Sequence, residues 1–170
     1  YHRFKQQFQA HAVTDDGIVP IPLGGLDKDV PPKFVGYVED GATALMIMRN
    51  GQDKQSLYEV STKQGHVLGT VFEDKEGRYD IVSASLLTAE GRPVAIPVVG
   101  EKTTYHWFDK SLENEYNVVV AQLSGNPSRV LIQAASKDWQ KIVFSTSGNS
   151  TLPSLYLYDR SADKPRLVLM

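Results

Sequence analysis

The sequence predicts an all-β protein built from repeated four-stranded antiparallel units, and three observations carry that prediction. Short runs alternate apolar and polar residues between turn residues, as in LYLYDRSADKPRLVL at 155–169, which reads as two strands of a hairpin. A stretch starting at Phe34 aligns without a gap on one starting at Ile132, an offset of 98 residues. A third copy lies midway between them, so the period is about 40–50 residues with four short strands per unit. That period and strand count are those of a β-propeller blade, whose sheet covers both faces only by stacking on neighbours. The expected fold is a partial propeller of about three blades and a preceding hairpin, in a single domain over 1–170.

Taken in order, residues about 2–13 and 17–23 read as the last two strands of a half blade spanning 1–24. The next blade covers 34–73, with strands near 34–39, 44–49, 56–61 and 66–73. Within the repeat, Asp40 falls on Asp138, Leu45 on Val143, and Ser56-Leu57-Tyr58 on Ser154-Leu155-Tyr156. The middle blade, 79–124, starts with YDIVSASLLTAEGRPVAIPVV, read as strand, Glu90-Gly91 turn and strand, and continues with TTYHWFDK. Its outermost position breaks the rule. SLENEYNVVVAQLSG places Leu112, Tyr116, Val119 or Val120, and Leu123 at steps of three and four, which predicts a short helix near 111–124. Ser111 is placed as its N-cap and Gly125 as its C-cap; a continuous strand through VVVAQL is the alternative. The last blade is 130–170, where the final hairpin pairs with KIVFSTS before it.

Composition bounds the function. A net charge of −2 and a pI near 6.1 point to neither nucleic acid nor an anionic membrane as partner. No apolar run approaches the ~18 residues that span a bilayer, and YHRFKQQFQ lacks the layout of a signal peptide. Without an initiating Met the chain reads as an excised piece. The absence of cysteine excludes disulfides, thiolate nucleophiles and Cys-based zinc sites, and it suits cytoplasm and periplasm equally.

No catalytic, cofactor-binding or metal-binding residue is assigned. His2, His11, His66 and His106 have neither i, i+4 spacing nor a carboxylate neighbour in a ligand pattern, and His106 is a strand residue of TYHWFD. The nearest string to a nucleophile elbow, SGNSTL ending at Leu152, lacks the second Gly and a following helix, so it reads as a polar loop. Asn149 also begins a glycosylation sequon, which is a weak signal by itself. Leu23–Gly25 is a turn without the frame of a phosphate loop. Asp40, Asp74, Glu90, Asp138 and Asp159 sit at turns, where carboxylates take backbone N–H groups. Trp107, Tyr156 and Tyr158 suit packing between blades.

From Ser56 onward the order of motifs resembles a known family. SLYEVSTKQGHVLGTVFEDKEGRYDI, TAEGRPVAIPVV, YHWFD, the Ser136-x-Asp138 turn leading to Val143, and SLYLYDR followed by LVL appear in sequence. This resembles the last blades of the propeller of prolyl oligopeptidase family serine peptidases, of the bacterial acylaminoacyl-peptidase-like or dipeptidyl-aminopeptidase-like kind, over roughly 34–170. The resemblance implies a non-catalytic segment that gates short peptides toward a C-terminal α/β-hydrolase domain carrying the Ser-Asp-His triad. None of that triad has a counterpart here. It also implies that the partners are the remaining blades and that hydrolase domain, and that the isolated piece self-associates through its uncovered faces and edges. Two rival readings remain: a stand-alone propeller-type binding module, or a β-sandwich or barrel with an accidental repeat.

Overall fold

A computed structural model describes residues 10–14, 17–21, 30–38, 41–76, 78–84, 86–99, 103–123, 127–148, 151–161 and 164–170. Among them are thirteen strands and one helix, and all paired strands are antiparallel. Contacts group the chain into two units, Tyr1–Ser85 and Leu86–Met170.

The first unit opens with the hairpin of β1 (Ala10–Thr14) and β2 (Gly17–Ile21). The rest of the predicted half blade, including Leu23–Gly25, lies outside the described residues. A sheet of β3 (Lys33–Val38), β4 (Thr43–Met48), β5 (Ser56–Ser61) and β6 (Val67–Phe72) follows, with neighbours in space in chain order. The four strands fall within one residue of their predicted bounds. The run ALMIM in β4 is apolar at every position because both of its faces are covered. Ala44, Met46 and Met48 cluster with Tyr58 and Val60 on one face. On the other, Leu45, Ile47 and Leu57 are at most 1% exposed. Burying a side chain of this size contributes about 1.5–3 kcal/mol.

The second unit begins with β7 (Leu86–Leu87), β8 (Pro93–Val99) and β9 (Thr103–Trp107), a three-stranded sheet. The strand expected across YDIVSASLL is therefore reduced to two residues, for two reasons. Pro93 and Pro97 in β8 have no N–H to donate, and the pairing of β7 with β8 slips between Leu86 and Leu87. Upstream, Asp80 and Ile81 are held by Gln55 instead: Gln55 N–H donates to Asp80 Oδ1 at 2.7 Å and Ile81 N–H to Gln55 O at 3.0 Å.

In place of a fourth strand comes α1 (Lys110–Gln122), confirming the helix over the VVVAQL strand. Its cap differs from the expected one. Asp109 is extended, and its Oδ1 accepts from Ser111 N–H (2.9 Å) and Leu112 N–H (3.1 Å), so Ser111 lies inside the first turn. At the other end Leu123 is extended and its N–H returns to Val120 O; Gly125 lies outside the described residues. Leu112, Val119 and Leu123 are buried, as their spacing predicts.

The final sheet is β10 (Arg129–Ala135), β11 (Lys141–Gly148), β12 (Thr151–Asp159) and β13 (Arg166–Leu169), again in chain order. One apolar cluster fills the second unit, joining Val94, Trp107, α1 and the Val130, Ile142, Phe144 and Tyr158 face of this sheet. Tyr116 is its pivot, with ring centroids 5.2 Å from Tyr105, 5.3 Å from Trp107 and 6.0 Å from Phe144. Two hydroxyls from this cluster also occupy the free edge of β10. Tyr105 Oη accepts from Ile132 N–H at 2.8 Å, and Tyr116 Oη donates to Val130 O at 3.2 Å. A bare edge offers unpaired donors and acceptors to other chains, and this one is partly filled from within.

The 98-residue repeat is reproduced in the ladders pair by pair. Thr43↔Ser61 through Met48↔Ser56 correspond to Lys141↔Asp159 through Thr146↔Ser154 without a slip. The first and second strands share even their bulge, between Phe34 and Gly36 in one sheet and Ile132 and Ala134 in the other. A one-residue slip would exchange the two faces of a strand, so shared register means shared inward and outward positions. Beyond these pairs the sheets depart: β11 and β12 continue through a further bulge to Gly148↔Thr151, and in the fourth strand Glu59↔Gly69 would correspond to Leu157↔Leu167, whereas Leu157 pairs with Val168.

Candidate functional site

The polar side chains that the structure brings together lie at the turns entering the second strands. Each such turn contains one residue with positive φ: Gly41 (86°), Gly91 (78°) and Trp139 (56°). In the two four-stranded sheets the turn is closed identically, by Gly41 N–H to Val38 O (3.3 Å) and Trp139 N–H to Ser136 O (2.8 Å). A left-handed conformation is easy for glycine and costs other residues about 1–2 kcal/mol. Trp139 is therefore strained where its repeat partner is not.

The residue following the third strand braces this turn in both sheets. Thr62 N–H donates to Ala42 O, and Arg160 N–H to Gln140 O. Thr62 Oγ1 donates to Gly41 O at 2.9 Å, and Arg160 Nη1 to Trp139 O at 3.0 Å. The arginine reaches further than threonine. Its Nη2 donates to Glu115 Oε1 on α1 at 2.6 Å, and its Nε lies 2.5 Å from Oε2. Burial first, and then the Glu115 carboxylate, raise the Tyr158 hydroxyl above its ordinary pKa. The cluster of Trp139, Arg160, Glu115 and Tyr158 thus ties α1 to the last sheet. Each guanidinium nitrogen thus has a partner within this brace.

The turn carboxylates act largely as expected. Asp74 accepts from Glu76, Arg78 and Tyr79 N–H groups. Asp138 accepts from Ser136 Oγ at 2.5 Å and Gln140 N–H at 3.1 Å, and Asp159 from the hydroxyl and N–H of Ser161. At Glu90 the carboxylate takes the Thr88 hydroxyl and its own N–H, which lower its pKa, and Thr88 Oγ1 in turn accepts from Glu90 and Arg92 N–H. Asp40 lies outside the described residues. The Ser136 bond lowers the Asp138 pKa, and the Ser161 bonds lower that of Asp159. A depressed folded-state pKa stabilises above the unfolded value of about 3.9 and ceases to do so as pH falls through the folded value. Stability is expected to fall below about pH 4, and Asp138→Asn and Asp159→Asn to flatten that fall. Acid titrations followed by circular dichroism check this, and unchanged slopes in both variants would refute it.

His2 lies outside the described residues. His11 and His66 are exposed, and His106 stacks edge-on against Phe108 at 5.0 Å on the outer face of β9. Burial, then Lys110, lower its pKa, and Glu113 opposes them. Among the described residues no three His, Cys, Asp or Glu side chains form a group able to hold a metal ion. Asn149 and Ser150 of SGNSTL lie outside them. An open polar cleft of about 470 Å³ lies between residues 52–56 and 73–75. The carboxylate of Asp74 in its wall is already committed to three backbone N–H groups.

Trp107 and Tyr158 are buried within the second unit and Tyr156 packs against them, as expected of packing residues. The opposite face of the last sheet is open. Leu155 and Val168 are each 45% exposed there, beside Val143 and Leu157. Their repeat counterparts in the first sheet include Leu45 and Leu57, both fully buried. The brace at Arg160 and the strained Trp139 were not anticipated from sequence. The signal was present in the alignment at offset 98, which lays Trp139 on Gly41 and Arg160 on Thr62. No family model, curated protein or solved structure matches the chain.

Proposed function

We propose that the chain is a non-catalytic β-propeller segment of a serine peptidase, one that controls the access of short peptides to an α/β-hydrolase domain. The observation that carries this reading is the shared register of the two four-stranded meanders at offset 98, bulge included. Two accidental sheets have no reason to agree over six consecutive pairs of their second and third strands and at the bulge between their first two, whereas blades of a repeat do. The family assignment rests on the ordered motifs from Ser56 to Leu169. In this role the segment contributes selection and exclusion of water, and the triad chemistry belongs to the hydrolase domain.

The test is the coding sequence beyond codon 170. It is expected to continue with alternating strands and helices containing G-x-S-x-G, then Asp, then His. A continuation into further blades without that motif would replace this reading by a stand-alone binding module. As a second check, the 170-residue chain incubated with a fluorophosphonate probe is expected to give no covalent adduct, because the nucleophile lies elsewhere. A stoichiometric serine adduct would overturn the non-catalytic assignment.

The open face at Leu155 and Val168 bears on how the isolated chain behaves. Exposed apolar sheet surface favours association, so the chain is expected to dimerise or pack edge to edge at micromolar concentration. Sedimentation velocity decides this: a single monomeric species across the concentration range would count against it.

A further inference from the structure

We draw no further inference here: the strongest candidate, the open apolar face of the last sheet at Val143, Leu155, Leu157 and Val168, carries nothing beyond the proposed propeller packing because nothing in the structure shows what covers it.

Discussion

Trp139→Ala is expected to lower the unfolding free energy by about 3–5 kcal/mol, and Trp139→Gly by about 1 kcal/mol less. Both substitutions remove an indole that is only 7% exposed in the apolar cluster of the second unit. They differ at the backbone. Alanine inherits the φ of 56° with its steric cost, whereas glycine adopts that conformation freely, as it does at Gly41 and Gly91. Urea unfolding of both variants, followed by circular dichroism, measures the difference. If alanine proves the more stable of the two, the left-handed backbone carries no strain at this position. If both cost less than 1 kcal/mol, the indole is not the anchor that holds the turn.

Arg160→Met is expected to destabilise by about 2–3 kcal/mol, somewhat below the value for a fully buried pair because both partners keep partial solvent contact. Their side chains are 20% and 28% exposed. The loss has two origins: Glu115 is left beside Tyr158 without its cation, and Trp139 O loses a donor. Glu115→Gln alone is expected to cost less, because Arg160 keeps its bond to the turn. The double variant is expected to fall short of the sum by at least 0.5 kcal/mol, the usual sign of residues in one network. Strict additivity would mean that α1 is held by its apolar face alone. Thr62→Val is the control in the other sheet, where the same carbonyl is braced without an ion pair. Its expected cost is about 1 kcal/mol.

The two sheets show how directly register is encoded. Leu45 and Val143, or Tyr58 and Tyr156, hold equivalent places in the ladders, where a one-residue slip would exchange the two faces of each strand. The fourth strands lack that constraint. The burial pattern of Val67–Phe72 contains no fully buried residue, nor does that of Arg166–Leu169. Their register differs between the two sheets by one residue at Tyr58 and Glu59 and by two at Val60, where β5 and β6 carry a bulge of their own. The middle sheet was overextended for another reason. Alternation in YDIVSASLL suits a strand, but Pro97 offers it no N–H and Gln55 holds Asp80 and Ile81, consequences visible only once the neighbours are known.

The helix cap follows the same division. The spacing of Leu112, Val119 and Leu123 announces a helix, whereas Asp109 rather than Ser111 caps it because the chain leaves β9 extended through Asp109. Local periodicity and turn chemistry thus determine strand class, the repeat and most of the pairing, since each depends on residues close together in the chain. That a tryptophan occupies a glycine's conformation was hinted at only by the alignment of Trp139 on Gly41, and the tertiary structure decided it. It also decided that Arg160 spans 45 residues to Glu115, and that one face of the last sheet stays open while its counterpart is covered. These depend on which surfaces meet, and the free energy that settles them comes from contacts between segments whose spacing in sequence carries no pattern.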